Sequence, residues 1–495
     1  MAQTIRSQSK FVCCAALVCV VITAFIMTKQ QHALRIRHIA WYSTSEYPTW
    51  PHSESLWRVL AAQHPRTPNR CWFATCQDYL HRSSRFRKPP WLRFASYSSA
   101  TDELFTVRTS MTFNESFSPR CPEYFHFIHQ HLDPWKKTKI SRSLLDAVRI
   151  GSYGASFTLI IKSGRLFVDP IGNCYQTRAL FSIWGVLQLL RFYPGMVPDL
   201  ELVFGCGDRP EISKNAYQDS PPPPIFRYCT TSEHFDIPFP DWSFWGWPEV
   251  NIQPWHSEQQ RIQKASRETP WKRRIPKAFW KGNLFMGNGT RMKLKECSED
   301  VAEISGQDWN KEVRSGFRHS KLSEQCKHRY KIYVEGIGWS VSLKYILACA
   351  SPVLLVQPQY YEFLARGLLA GKHFWDIPAT DDMCRKISSA VEWGNQHPNE
   401  AMEIGRQGAR FVEEEVSMPH VYDYMLHLLW KYAELLDFEP VIGDHLLELC
   451  PEAFLCTAPS KEEPFFRASM VHEPSTTLPC SFMDAVSDQT QWHSQ

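Results

Sequence analysis

The chain has 495 residues, 43% hydrophobic and 21% charged, an ordinary globular balance at a length that calls for more than one core. Lys and Arg number 55 against 51 Asp and Glu, and a net charge of +4 does not call for a nucleic-acid partner. Aromatic residues make up 14%, with 19 Trp, so ring packing or ring stacking must figure in any account.

Residues 1–10 read as a cytoplasmic tail with Arg6 and Lys10. Residues 11–27 carry no charge and read as an uncleaved signal anchor, at the short limit for spanning a bilayer. They predict a single-pass type II protein of the Golgi or endoplasmic reticulum membrane, its body lumenal. Residues 28–115, polar and rich in Pro and aromatics, read as a stem. Sixteen Cys without a C-x-x-C pair disfavour zinc. In an oxidising lumen some of them are expected to pair. Sequons at Asn114 and Asn288 fit a secretory route.

From about residue 143 the pattern is α/β. FTLIIKSGRLFVDP predicts two strands around Ser163-Gly164. RALFSIWGVLQLLRFYP predicts a helix ending before Pro194. DLELVFGCGDRP predicts a buried strand with a Gly-rich exit, and IFRYC another strand after a polyproline loop. A second α/β set follows: KAFWKGN, then YKIYVEGIGWSVSLKYILACAS, then PVLLVQ. Two such sets predict two doubly wound, Rossmann-like domains facing a cleft, over residues 116–272 and 273–416. A C-terminal helical segment over 417–450 is expected to pack back on the first domain. Residues 451–495, rich in Pro, Ser and Thr, read as a disordered tail.

The chain lacks G-x-G-x-x-G, P-loop and G-x-S-x-G motifs, and no two Asp stand in a D-x-D pair. A sugar-phosphate site would then neutralise charge with side chains and backbone N–H groups rather than a divalent ion. Lys281-Gly282-Asn283 at a strand end and the run from Glu335 to Ser340 ahead of a helix suit that role. Each also fits a plain strand-end turn. Asp208 follows an apolar strand and is the candidate general base. It also fits a turn Asp bonding its own backbone beside Pro210. The stretch FPDWSFWGWPEVNIQPW, residues 239–255, gathers six Trp and Phe among prolines. Rings fixed this way suit either stacking on sugar or packing a core.

Four ordered blocks, DLELVFGCGDRP, FPDWSFWGWPEVNIQPW, PWKRRIPKAFWKGN and HRYKIYVEGIGWSVSLKYILAC, resemble the protein O-glucosyltransferase family, which includes Rumi-type enzymes and fungal capsule-synthesis xylosyltransferases. The resemblance covers roughly residues 145–440. It implies a GT-B fold and an inverting, metal-independent transfer from UDP-glucose or UDP-xylose to a protein or polysaccharide acceptor. It assigns Asp208 as base. Arg209, Asp241, Trp242, Phe244, Trp245 and Gly246 become acceptor- and sugar-side residues, with the carboxylates Asp241 and Glu249 taking hydroxyls. Lys281, Gly282, Asn283, Arg291, Glu335, Gly336, Gly338, Trp339, Ser340, Ser342 and Lys344 become donor-side residues. Two departures stand out: Lys281 and Ser342 occupy places where animal members carry Arg, so the forked phosphate grip of Arg is missing at both. A non-catalytic carbohydrate-binding or scaffold protein is the alternative reading.

Overall fold

The computed structural model describes residues 119–482, apart from Ser152 and Asn173. Among the described residues no helix is long and apolar enough to cross a membrane. That overturns the expectation of a membrane-spanning Golgi or endoplasmic reticulum protein. Residues 11–27, on which the expectation rested, and the stem 28–115 lie outside the described residues.

Two sheets organise the chain. In the first, β1 (Phe157–Lys162) and β2 (Arg165–Pro170) form a hairpin. Its two turn residues, Ser163 and Gly164, both take positive φ, 50° and 70°. That backbone twist matches the twist of the flanking strands. Then come β3 (Leu200–Phe204), β4 (Ile225–Arg227) and β5 (Ile237–Pro238), mutually parallel, with β1 antiparallel to β3. The late strand β11 (Leu447–Leu449) joins β2, giving the order β11-β2-β1-β3-β4-β5. This sheet is mixed, not the doubly wound parallel sheet that the sequence pattern predicts, because the Ser163-Gly164 turn closes a hairpin where a helical crossover would be needed.

The second sheet is wholly parallel. It comprises β6 (Ile275–Gly282), β7 (Ala302–Gly306), β8 (His328–Tyr333), β9 (Val353–Val356) and β10 (Trp375–Ile377), in the order β10-β9-β8-β6-β7. All four residues of β9 are buried, as expected for a strand covered on both faces. The order reverses between β6 and β8. Ligands of open α/β sheets bind outside the carboxyl ends of the strands at such a point.

Helices cover both sheets. In chain order they include α1 (Phe127–Leu132), α2 (Arg142–Ile150), α3 (Arg178–Phe192), α4 (Trp255–Glu268), α5 (Leu343–Leu347), α6 (Met383–Gln396), α7 (Pro398–Arg410), α8 (Met418–Ala433), α9 (Pro451–Thr457) and α10 (Glu463–Ala468). The apolar α3 is buried along most of its length, and α8 packs against α1, α3 and β3. One core runs through Leu159 and Leu202 of the first sheet, the aromatic block, and Tyr333 and Leu355 of the second.

Residues 451–482 are folded, in contrast to the expected disordered tail. Phe454, Phe465 and Phe466 are buried, and Phe466 stacks on Phe181 of α3 with centroids 4.4 Å apart. Burial of these three Phe side chains, at about 1.5–3 kcal/mol each, outweighs the local Pro and Ser content. Cys480 is bonded to Cys121, 359 residues away. Further disulfides join Cys174–Cys206, Cys297–Cys384 and Cys326–Cys349, and Cys229 is a buried free thiol.

Candidate active site

Strands β2, β3, β4 and β5 all point their carboxyl ends the same way, and the site is built on the loops that leave them. The β3 exit reads Gly205-Cys206-Gly207-Asp208. Its glycines are required by what lies beneath: a Cβ on Gly205 would stand 2.9 Å from the Arg227 guanidinium carbon, and one on Gly207 3.0 Å from Arg227 Nη1. Arg227 is itself held by the buried carboxylate of Asp236 at 2.7 Å. Cys206 is tied to Cys174, which anchors the β3 exit to the segment that follows β2. Asp208 is thus presented on a braced loop, with 33% of its side chain exposed.

Arg178, the first residue of α3, donates from Nη1 to Asp208 Oδ1 at 2.7 Å and to the Cys206 carbonyl at 3.4 Å. Its guanidinium carbon lies 4.3 Å from the Trp242 ring centroid. Sequence reasoning missed Arg178. The available signal was a cation opening an otherwise apolar helix, where the helix dipole disfavours positive charge.

The β8 exit of the second sheet meets this loop. Arg209 Nε donates to the Ile337 carbonyl at 2.9 Å. Gly338 passes so close to the Asp208 carbonyl that a Cβ there would fall 1.7 Å from its oxygen. The Cys229 thiol donates to the same carbonyl at 3.4 Å, and burial pushes that thiol's pKa up. Trp339 packs on Tyr228 and Trp242, centroids 5.5 and 6.0 Å away.

The glycine-containing exits of β6 and β8 lie at the reversal point of the second sheet. Arg291 ties them together. Its Nε donates to the Glu335 carbonyl at 2.7 Å, Nη1 to the Asn283 carbonyl at 3.2 Å and Nη2 to the Val334 carbonyl at 3.3 Å. Burial pulls its pKa down to about 10. Asn283 Oδ1 accepts from the Phe285 amide at 2.9 Å. Gly282 has no room for a Cβ beside the Trp280 ring, 2.9 Å away. The Glu335 carboxylate accepts from the Tyr360 amide at 2.5 Å, and burial pushes its pKa up to about 7. Gly336, Ser340 and Ser342 are half-buried. The Ser340 amide donates to Tyr333 Oη at 3.1 Å, and its hydroxyl lies 2.9 Å from that of Ser342. Lys281 Nζ donates to the His319 carbonyl at 2.5 Å and to Glu312 at 3.4 Å.

Several sequence-assigned residues lie behind this surface. Lys344 is fully buried, and its Nζ donates to Asp241 Oδ2 at 3.2 Å and Ser243 Oγ at 2.8 Å. Asp241 caps the turn at Trp242–Phe244, accepting from the Ser243 amide at 2.8 Å. Glu249 accepts from the Thr177 amide at 2.7 Å and hydroxyl at 2.9 Å, ahead of α3. These two carboxylates are committed to backbone and cation, not to sugar hydroxyls. Trp242, Phe244 and Trp245 are core residues, and Trp245 Nε1 donates to Tyr422 Oη at 3.2 Å. Gly246, at φ 134°, is buried beside Phe465 and Phe181. The reason is packing: three large rings on one rigid turn fill the space between the sheets.

Among the described residues one set of three metal-type side chains comes together, Cys121, His427 and Cys480, and its two sulfurs form a disulfide. A cavity of about 580 Å³ is lined by Lys214, Tyr217, Asp219, His234 and Arg366 among others, and by none of the residues above.

An α/β chain that sets one carboxylate at the carboxyl end of an interior strand, on a loop that abuts a glycine turn at a sheet reversal, has the layout of a group-transfer enzyme, and comparison with known proteins makes it a glycosyltransferase. Residues 116–494 match the family model described as Glycosyl transferase family 90, and the chain belongs to that family. It is 23% identical to O-glucosyltransferase rumi of Drosophila melanogaster over 347 residues, covering 67% of this chain and 82% of the relative. It is 24% identical to Protein O-glucosyltransferase 1 of Bos taurus and of Homo sapiens, each over 339 residues, 65% of this chain and 82% of the relative.

Proposed function

We propose that this glycosyltransferase is inverting and metal-independent, and that it moves glucose or xylose from UDP-glucose or UDP-xylose to a hydroxyl of a protein or glycan acceptor. The observation that carries the reading is the placement of Asp208. It carries a partly exposed carboxylate on a braced strand exit whose backbone abuts the glycine loop at the reversal point of the parallel sheet. The names of the relatives support glucose as the sugar and protein as the acceptor.

The two sheets are the cores of two halves in a GT-B-like arrangement, residues 116–272 and 273–416, with 417–450 returning to the first. Asp208 takes the proton from the acceptor hydroxyl as that oxygen attacks the anomeric carbon. The carbon–oxygen bond to UDP breaks, and the electron pair leaves on the β-phosphate. A single displacement inverts the anomeric centre. The leaving group is assigned to the exits of β6 and β8, where the half-buried hydroxyls of Ser340 and Ser342 are the donors, while Lys281 is held by Glu312 and the His319 carbonyl. Fixed dipoles at that point stabilise the developing charge more than mobile water does. Arg291 and Glu335 hold the two exits in place. A carbohydrate-binding scaffold would present open aromatic faces, and the buried rings of Trp242, Phe244 and Trp245 present none.

Two measurements on the purified chain in EDTA test this. Calorimetry is expected to show UDP binding, and UDP release is expected from UDP-glucose or UDP-xylose. Absence of UDP binding, or release that EDTA abolishes, contradicts the proposal.

A further inference from the structure

We infer that Arg178 is a positioning residue for transfer: it grips one oxygen of Asp208 and thereby aims the other at the acceptor. This rests on the reading of Asp208 as the base.

Three observations combine. Arg178 has 8% of its side chain exposed, and it sits at the first position of a 15-residue helix. A buried cation at a helix N-terminus opposes the dipole and loses its hydration, two costs that core packing alone would remove by substituting Leu or Met. Where a local choice runs against the fold's own preferences, function is the usual reason. Second, the guanidinium is held through Nη1 and against an aromatic ring, while its buried Nε has no hydrogen-bond partner among the described residues. The Trp242 ring lies 4.3 Å from its centre, the Cys206 carbonyl accepts from Nη1 at 3.4 Å, and Cys206 is itself cross-linked to Cys174. Third, the grip is one-sided. Nη1 bonds Oδ1 of Asp208 at 2.7 Å, and no described residue bonds Oδ2. A carboxylate held by one oxygen keeps its rotation fixed and offers the second to a proton. A Lys would supply charge but not the flat face that stacks on Trp242.

The test measures UDP release with UDP-glucose and UDP-xylose in Arg178→Gln and Arg178→Lys, alone and combined with Asp208→Asn. Arg178→Gln is expected to lower kcat about 10- to 100-fold, the scale of a small misplacement of a reacting group. KM for the donor and calorimetric UDP affinity stay within about twofold, the signature of a lost transition-state interaction. Arg178→Lys is expected to fall between Gln and the parent. Adding Arg178→Gln to Asp208→Asn is expected to cost nothing more, because both changes remove the same positioned group. A merely structural role would show the same loss on both backgrounds. That additivity, or full activity in Arg178→Gln, overturns the proposal. If Arg178→Gln does not fold, the same comparison with Arg178→Lys decides. Failure of the underlying reading is distinguishable: it shows as the absence of UDP release and UDP binding in the unmodified chain, and it removes this proposal with it.

Discussion

Gly338 and Asp208 touch through backbone alone, with the Asp208 carbonyl oxygen standing 1.7 Å from where a Gly338 Cβ would be. No side chain rotation relieves such a clash, since the second partner is main chain. Gly338→Ala therefore has to push the β8 exit away from the β3 exit. Overpacking of this kind costs about 1–3 kcal/mol. We expect the urea midpoint of Gly338→Ala to fall and UDP release to be lost together. An unchanged midpoint with full release would mean the two exits do not meet.

Gly185 lies inside α3 and faces the Trp245 ring, whose atoms would be 2.5 Å from an added Cβ. Alanine is worth about 0.5–1 kcal/mol over glycine in a helix interior. Trp245 is buried and hydrogen-bonded to Tyr422, so it has nowhere to move. The steric cost, about 1–3 kcal/mol, wins. Gly185→Ala should lower the melting temperature, and a raised one would show that propensity dominates.

Lys344 and Asp241 form a buried ion pair between the helix after β8 and the turn after β5. Removing one partner of such a pair costs about 3–5 kcal/mol, because the other charge stays buried. Lys344→Met should destabilise by that order in urea unfolding. Adding Asp241→Asn should recover much of the loss. If the double variant is as unstable as the sum of the two singles, the charges are not the cause.

Glu362 is fully buried close to Lys344 and Asp241, and neither carboxylate oxygen has a hydrogen-bond partner. Burial pushes its pKa up to about 8, with Lys344 opposing and Asp241 reinforcing. The folded state then holds a proton that the unfolded state, near pKa 4.3, releases. Its contribution is complete below that unfolded value and is lost as pH rises toward 8, by up to about 1.4 kcal/mol per pH unit. Glu335, at about 7, acts in the same direction. Unfolding between pH 6.5 and 8 should show stability falling with pH, and a shallower fall in Glu362→Gln. Identical slopes would remove Glu362 from the account.

The sequence carried local order well and long-range burial poorly. Ser163-Gly164 between two alternating runs announced the β1–β2 hairpin, and the apolar run from Ala179 to Leu190 announced α3. The glycine turn after β8 was legible because a strand, two glycines and a helix stand in one stretch. Burial of Lys344 beside Asp241, 103 residues apart, has no local signature, nor does the pairing of Arg178 with Asp208. A tryptophan-rich turn reads alike whether its rings meet sugar or one another. The folded tail depends on Phe465 and Phe466 meeting α3, some 280 residues earlier, so composition alone hid it.

The central claim is that Asp208 is the base of a metal-independent sugar transfer. The most direct measurement is UDP release by the purified Asp208→Asn chain in EDTA, with UDP-glucose and with UDP-xylose, beside calorimetric UDP binding. Release is expected to fall by about 10²-fold or more while UDP affinity holds. Release equal to that of the unmodified chain, with UDP still bound, would contradict it.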